Sequence, residues 1–184
     1  MTRVLVVGAT GQLGLALQRQ ALPPAWQLDC LTRADVDLTN TDAIFAALSA
    51  RKADAIINAS AYTAVDRAET ERELAFQLNR DAPAAMAKLG IPFVHVSTDY
   101  VFAGDKPTPY VETDERNPIS VYGASKAAGE DAVFAATQRA AIVRTAWVYS
   151  PDRANFVKTM LRLGAERDEV SVVADQIGTP TSAD

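Results

Sequence analysis

At 184 residues the chain is long enough for one domain and the beginning of a second, and its 48% of hydrophobic residues suffices for a packed core. The net charge of −5 and the absence of a basic block argue against a nucleic acid or a membrane surface as partner. No apolar run approaches the roughly 20 residues of a membrane span, and Met1 leads directly into a predicted core strand. We therefore expect a cytoplasmic protein without a signal peptide. Cys30, the only cysteine, is predicted to be a buried structural thiol.

The first fourteen residues contain the strongest indication of a ligand. A β-branched run, residues 3–7, is followed at once by Gly8, Gly11 and Gly14, and a helical pattern then continues to near Pro23. A strand, a glycine turn and a helix N-terminus together present unpaired N–H groups to a phosphate. Gly8 is expected to take turn dihedrals, Gly11 to let the backbone approach a pyrophosphate, and Gly14 to let the helix lie close to the strand. The spacing is G-x-x-G-x-x-G rather than G-x-G-x-x-G, so dinucleotide binding is predicted from the strand–turn–helix context.

The rest of the chain alternates strands and helices. After the first strand and helix, strands are predicted at residues 27–32, 53–59, 91–96, 141–144 and 170–173, and helices at 44–48, 68–89, 120–137 and 156–165. Thr39, Asn40 or Thr41 is expected to cap the helix at 44–48. Pro83 is expected to kink or divide the helical stretch around it, and Gly90 to end that stretch. The alternation predicts an α/β fold with a doubly wound parallel sheet, covered on both faces.

Four stretches of small or polar residues follow predicted strands: residues 8–14, 32–33, 59–63 and 97–99. In doubly wound sheets ligands bind beyond the carboxyl ends of the strands, at the point where the strand order reverses. We therefore expect these four stretches to converge on one crevice.

The second stretch carries the prediction of cofactor type. Arg33 lies nineteen residues after Gly14, near the position where an NAD site places an acidic residue. An arginine there suits a 2′-phosphate, which predicts a preference for NADPH, the alternative being a solvated surface arginine. Asp35 complicates this prediction, and Asp37 with Leu38 is expected either to meet the adenine edge or to open the next helix.

The third stretch is rich in small side chains. Ala59, Ser60 and Ala61 leave room for a ring or a ribose to approach the backbone, and Thr63 adds a hydroxyl for the cofactor. The alternative is that these residues only form a tight strand-to-loop turn.

Tyr122 and Lys126 lie four residues apart and share one face of a predicted helix. A nearby ammonium favours the phenolate, so we expect Lys126 to lower the pKa of Tyr122. Tyr122 is then a general acid that protonates an oxygen as a hydride reaches the adjacent carbon, and Lys126 can also hold a nicotinamide ribose. Thr98 is expected to hydrogen-bond the substrate carbonyl oxygen, and Ser97 is the less favoured candidate for that role.

Other catalytic arrangements are not indicated. His95, the only histidine, lies in the middle of a predicted strand, and we expect a hydrogen-bonded core residue rather than a catalytic one. No Cys/His/Asp spacing predicts a metal site, and the nucleophile pattern G-x-S-x-G is absent.

Seven short strings, in order along the whole chain, resemble those of the extended short-chain dehydrogenase/reductase family: residues 8–14, 35–40, 58–66, 97–102, 121–126, 144–149 and 175–181. The finer match is to its sugar-nucleotide reductases. It implies reduction of the C4 ketone of dTDP-4-dehydro-6-deoxy-L-mannose to dTDP-L-rhamnose by NADPH, with NADH possible.

The resemblance also implies residue roles. It makes Thr98, Tyr122 and Lys126 the catalytic set, and it places the sugar nucleotide against Thr98, Asp99 and Trp147. Together with the glycine turn and the small residues above, it gives a predicted cofactor set of Gly8, Thr10, Gly11, Gln12, Leu13, Gly14, Arg33, Asp37, Leu38, Ala59, Ala61, Tyr62, Thr63, Tyr122 and Lys126.

Two features depart from the family pattern. Some relatives carry a glutamate in the first helix that contributes to a magnesium-bridged dimer, but Ala16 stands there in this chain. We therefore expect no such metal and a monomer or weak dimer. Relatives also continue beyond this length with a second lobe. Residues 1–150 are expected to form the dinucleotide-binding domain, and 151–184 the start of a truncated substrate-binding region that leaves the chain poorly active.

Two other functions stay open on the sequence alone. A non-catalytic relative with this fold can hold NADP and regulate a partner enzyme, but Thr98, Tyr122 and Lys126 would then have no use. A sister sugar-nucleotide epimerase or dehydratase is the other alternative. Dehydratases usually add an acid pair beside the catalytic threonine, whereas Tyr100 follows Asp99 here.

Overall fold

A five-stranded parallel sheet organises the chain, and the computed structural model describes all 184 residues. The five strands are β1 (Thr2–Val7), β2 (Trp26–Leu31), β3 (Ala55–Asn58), β4 (Phe93–Thr98) and β5 (Ala140–Thr145). They lie in the order β2-β1-β3-β4-β5, and every neighbouring pair is parallel. The order reverses between β1 and β3, which makes the carboxyl ends of these two strands the expected ligand site. The predicted doubly wound α/β fold is confirmed.

Helices connect the strands and cover the sheet. They are α1 (Gln12–Arg19), α2 (Thr41–Ser49), α3 (Val65–Ala68), α4 (Arg72–Phe76), α5 (Ala82–Ala87), α6 (Val121–Ala136) and α7 (Phe156–Glu166). Of the three predicted caps for α2, Asn40 is the one used: its side chain accepts hydrogen bonds from the N–H groups of Asp42 and Ala43. Ser120 caps α6 in the same way. None of the helices combines the length and the apolar character needed to cross a bilayer.

The hydrophobic core lies between the sheet and the helices packed on it. Its largest fully buried members include Leu5, Leu31, Ile44, Ile56, Met86 and Phe93. Four of these are strand residues and two are helical. Because the centre of a parallel sheet is covered on both faces, its central strands β1 and β3 are nearly continuous apolar runs, which made their positions predictable.

The helical stretch around Pro83 is divided, as predicted, but the division precedes the proline. A π-helical turn at Gln77–Asp81 joins α4 to α5, and Pro83 stands in the first turn of α5, where its missing N–H leaves no broken bond. The wide turn directs Asn79 inward. Its amide accepts from Tyr62 N at 2.9 Å and donates to Tyr62 O at 3.0 Å and to Ser125 Oγ at 2.9 Å. Asn79 thereby joins the loop after β3 to α6.

The predicted strand at residues 170–173 is wrong. Those residues form no strand, and the second small sheet pairs β6 (Val148–Tyr149) with β7 (Thr181–Ser182) instead. Val172 and Val173 are 50% and 67% exposed. A β-branched run needs a neighbouring strand to pair with, and this one has none.

Cys30 also departs from expectation, because it is only half-buried. It lies on β2, which is an edge strand of the sheet and is therefore less covered than the central strands. Burial still raises the pKa of its thiol, with a smaller contribution from Asp29, so the thiolate is disfavoured as expected of a structural cysteine. The division of the chain at residue 150 stays a prediction.

The contact between α6 and the π-helical turn gives a stability prediction. A methyl group at Gly129 would overlap the carbonyl oxygen of Asn79, so Gly129→Ala should lower the free energy of unfolding by about 1–3 kcal/mol. Gly164→Ala in α7 is the matched control, since nothing lies within 4 Å of its added carbon, and it should stabilise by up to about 1 kcal/mol. Urea unfolding of both variants measures the difference. Equal stability of the two variants would contradict the proposed close contact.

Candidate active site

One cleft of about 1220 Å³ opens at the carboxyl ends of the strands. Every residue of the predicted cofactor set except Gly14 lines it: Gly8, Thr10, Gly11, Gln12, Leu13, Arg33, Asp37, Leu38, Ala59, Ala61, Tyr62, Thr63, Tyr122 and Lys126. Thr98 and Trp147 also line it, whereas Asp99 does not. The structure therefore brings the four expected stretches to one crevice. The individual binding roles stay predictions.

Two glycines of the turn at residues 8–14 are required by contacts within the protein, and the third leaves space for a ligand. Gly8 has a φ of +87°, and a Cβ there would stand 2.6 Å from Ser60 N. A Cβ at Gly14 would stand 2.6 Å from Ala9 Cα. A Cβ at Gly11 would meet only the Gly8 carbonyl oxygen, at 3.4 Å. Contacts within the chain thus require glycine at Gly8 and Gly14, whereas at Gly11 the missing side chain leaves space for a ligand.

The N-terminus of α1 faces this space. Gly11 is its N-cap residue and provides no side-chain hydrogen bond, and the first turn holds no acidic residue. The first N–H groups of a helix have no partner within the helix, so here they are available to an anion.

Both acidic residues after β2 are bound within their own turns. Asp35 accepts hydrogen bonds from the N–H and hydroxyl of Thr32, and Asp37 accepts them from the N–H and hydroxyl of Thr39. These backbone and hydroxyl donors lower the pKa of each carboxyl group. Asp37 lines the cleft and its carboxylate binds only Thr39, ahead of α2, so both of its expected roles stay predictions. Arg33 is exposed, and none of the ion pairs in the chain involves it.

Lys126 is 1% exposed and bound to the end of β4. Its ammonium donates to Val96 O at 2.7 Å and lies 3.4 Å from His95 Nε2. Burial lowers the pKa of Lys126 to about 8, against an opposing contribution from Glu130. A group with this pKa is still mostly charged at neutral pH.

The expectation that Lys126 lowers the pKa of Tyr122 is wrong for this chain. Burial raises the pKa of Tyr122, a hydrogen bond with Thr98 opposes the shift, and Asp99 and Tyr100 add to it. Lys126 is not among these causes because its ammonium turns to the carbonyl of Val96. The phenol is therefore held in its protonated form, which is the form that a proton donor needs.

Thr98 and Ser97 point to different surroundings, as successive strand residues do. The Thr98 hydroxyl donates to Asp99 Oδ1 at 3.1 Å and accepts from Tyr100 N at 3.3 Å, which caps the short 3₁₀ turn at Asp99–Val101. The Ser97 hydroxyl donates to Glu130 Oε1 at 2.5 Å. Ser97 is thus committed to a buried carboxylate, which leaves Thr98 as the hydroxyl beside Tyr122.

His95 is a buried, hydrogen-bonded core residue, so this prediction is confirmed. Its Nδ1 lies 3.1 Å from the amide nitrogen of Asn58, whose oxygen accepts from the N–H and the hydroxyl of Ser60. Burial, with a contribution from Lys126, lowers the pKa of His95 to about 2. The imidazole is neutral at any physiological pH.

Sequence reasoning missed a buried acid behind the site. Glu130 is 1% exposed and accepts from Arg144 at 2.6 and 2.9 Å and from Arg116 at 3.1 Å. Burial acts to raise the pKa of Glu130, but hydrogen bonds from Arg144 and Ser97 and the arginine charges hold it below its usual value. Its spacing of four residues from Lys126 was the signal that both charges share the inner face of α6.

A second missed feature is the segment after β6, which lies against the glycine turn. Gln12 Oε1 accepts from Ser150 Oγ at 3.1 Å and from Asn155 Nδ2 at 3.0 Å. Arg153 Nε donates to Thr10 O at 2.7 Å. The partners are more than 130 residues apart in the chain, so no local pattern indicates these contacts.

No group of three or more His, Cys, Asp or Glu side chains is placed to hold a metal ion. Ala16 is fully buried in α1. The absence of a metal-bridged dimer stays a prediction.

Comparison with known proteins agrees with this geometry. The family model described as the RmlD substrate binding domain matches residues 1–184. The dTDP-4-dehydrorhamnose reductase of Sinorhizobium fredii is 49% identical over 186 residues, which cover 99% of this chain and 62% of the relative. The Escherichia coli enzyme of the same name is 42% identical over 192 residues, with 98% and 63% covered. The chain thus spans about 62–63% of the length of these two relatives.

Solved structures agree as well. The crystal structure of dTDP-4-dehydrorhamnose reductase from Bacillus anthracis, in complex with NADP, superposes with a TM-score of 0.95 and 44% identity, covering 100% of this chain and 67% of that one. The Clostridium acetobutylicum orthologue gives 0.94 and 41%, covering 99% and 66%. The chain belongs to the family of the RmlD substrate binding domain.

Proposed function

We propose that this chain carries the cofactor-binding and proton-donating part of a dTDP-4-dehydrorhamnose reductase, which reduces the C4 ketone of dTDP-4-dehydro-6-deoxy-L-mannose to dTDP-L-rhamnose with NADPH. The observation that carries the proposal is that Thr98, Tyr122 and Lys126 line the same cleft as the glycine turn. The matched relatives that carry this name support the substrate assignment.

The residues present fit a bound dinucleotide. The space over Gly11 and the uncapped N-terminus of α1 suit a pyrophosphate, and the small residues Ala59 and Ala61 line the neighbouring wall. Arg33, exposed and without an ion pair, suits the 2′-phosphate. The NADP in the Bacillus anthracis structure supports the same cofactor for this chain. When bound, NADPH supplies the hydride that reduces the ketone carbon.

Side chains of the protein orient the ketone and donate the proton. Thr98 orients the ketone oxygen through its hydroxyl, and Tyr122 gives that oxygen its phenolic proton, which completes the alcohol once the carbon has taken the hydride that bound NADPH would supply. Because its pKa is raised, Tyr122 is protonated before the reaction begins. Lys126, whose ammonium binds Val96 O, stands one helical turn from Tyr122 and lines the same cleft, where it is placed to hold the nicotinamide ribose.

The alternatives lack a specific observation in their favour. A regulatory NADP-binding subunit gives Tyr122 and the buried Lys126 no role. Neighbours such as the Campylobacter jejuni UDP-Glc/GlcNAc 4-epimerase, at 21% identity and a TM-score of 0.70, share the fold only. The proposal includes a cytoplasmic location and a monomer or weak dimer without a bridging metal. The apolar, buried Ala16 supports the absence of the metal.

Replacing the proton donor tests the proposal. Tyr122→Phe should lower kcat by roughly 10²–10⁴-fold, the usual contribution of a positioned acid. The assay follows NADPH absorbance with dTDP-4-dehydro-6-deoxy-L-mannose as substrate and compares variant and wild type in the complete enzyme. Tyr100→Phe is the matched control, because the Tyr100 ring packs edge-on against that of Tyr122, with ring centroids 5.6 Å apart, but Tyr100 has no proposed role in proton transfer. A Tyr122→Phe rate within about threefold of wild type would dismiss Tyr122 as the donor.

Cofactor preference gives a second prediction. Arg33→Ala should weaken NADPH binding by about 10–100-fold, the loss expected for charge-assisted hydrogen bonds to a phosphate, and should leave NADH binding nearly unchanged. Fluorescence titration with the two dinucleotides measures both affinities on one sample. Equal losses for the two would show that Arg33 does not recognise the 2′-phosphate.

A further inference from the structure

The glycine turn has no positive side chain of its own. Residues 8–14 contain no lysine or arginine, and the N-terminus of α1 offers only backbone N–H groups. Those groups carry a partial charge of about half a unit, whereas a pyrophosphate carries about two negative charges. A full positive charge from elsewhere in the chain would complete the site.

Four basic side chains line the cleft: Arg33, Arg67, Lys126 and Arg153. Arg67 forms an ion pair with Glu71, and Lys126 is buried against Val96 O. Arg33 follows β2, and β2 lies on the opposite side of β1 from β3. Arg33 is therefore not between β1 and β3, where the strand order reverses. Arg153 is the remaining one, and it is the one that touches the glycine turn.

One nitrogen of the Arg153 guanidinium holds the side chain in place, and the positive charge of the group is not paired with a carboxylate. Its Nε donates to Thr10 O at 2.7 Å, and no carboxylate of the chain forms an ion pair with it. The neighbouring Asp152 is paired with Arg19, so it does not neutralise Arg153. The two terminal nitrogens of the guanidinium remain available as donors beside the turn.

The backbone around Arg153 is fixed relative to the turn. Arg153 has a φ of +57°, a left-handed conformation that non-glycine residues seldom adopt. Ser150 and Asn155, on either side of it, both bind the side chain of Gln12. An unfavourable conformation held by bonds on both sides is typical of a residue placed for a function.

We infer that Arg153 binds the pyrophosphate of the dinucleotide, supplying the positive charge that the glycine turn lacks. This inference rests on the proposed function, because it concerns the same cofactor. The pyrophosphate is common to NADPH and NADH, so Arg153 contributes equally to both. Arg33, in contrast, distinguishes between them.

Titration of the 184-residue chain separates the two arginines. Arg153→Gly removes the side chain while accepting the left-handed backbone, and Arg153→Lys keeps a charge. Arg153→Gly should weaken NADPH and NADH by similar factors, each about tenfold or more, and Arg153→Lys should recover part of the loss. ADP, which has the diphosphate without the nicotinamide, should lose affinity in parallel, whereas adenosine 2′-monophosphate should not.

Salt dependence provides a second readout. Loss of one phosphate-bound cation should reduce the fall of NADPH affinity with salt concentration, compared with wild type. Arg162→Ala is the matched control, because Arg162 is an exposed arginine of α7 that pairs with Glu166 away from the cleft. It should leave both the affinities and the salt dependence unchanged.

The outcomes distinguish this inference from the proposed function. A wild-type chain that binds neither dinucleotide overturns both. If wild type binds and Arg153→Gly binds NADPH, NADH and ADP with unchanged affinity, the inference fails and the proposed function stands. Selective loss of NADPH in Arg153→Gly would assign Arg153 to the 2′-phosphate and overturn the pyrophosphate assignment.

Discussion

Close contact of α6 with its neighbours is the constraint on which the cleft depends. A side chain at Gly123 would overlap the carbonyl oxygen of Tyr100, and one at Gly129 would overlap that of Asn79. With both positions empty, the helix lies directly against the 3₁₀ turn after β4 and the π-helical turn before α5. This places Tyr122 beside Thr98 and lets Lys126 reach the end of β4.

The same closeness buries two opposite charges that do not pair with each other. Lys126 and Glu130 lie one turn apart on α6, and each is 1% exposed. Lys126 binds a strand carbonyl, while Glu130 binds Ser97, Arg116 and Arg144. Burying a charge is unfavourable unless its hydrogen bonds are replaced, and no buried side-chain nitrogen or oxygen in the chain lacks a partner. The network fixes the strand ends that carry Ser97 and Thr98.

Local sequence patterns were sufficient for the sheet, the glycine turn and the convergence on one crevice, because apolar runs, caps and glycine spacing act over a few residues. They were insufficient wherever the answer depended on a distant partner. The run at residues 170–173 has strand composition but no neighbouring strand, and Lys126 has helical spacing from Tyr122 but a nearer acceptor in Val96. The contacts of Gln12 and Arg153 join the two ends of the chain, and no short pattern encodes them.

The orientation of the Asn58 amide has a consequence for the lysine two hydrogen bonds away. Because Ser60 occupies the amide oxygen, the NH₂ group faces His95 and makes its Nδ1 the acceptor. A neutral imidazole carries one proton, which then resides on Nε2 and points at Lys126. The histidine therefore cannot accept from the ammonium. With one of its three N–H bonds given to Val96, Lys126 retains two uncommitted donors for whatever enters the cleft.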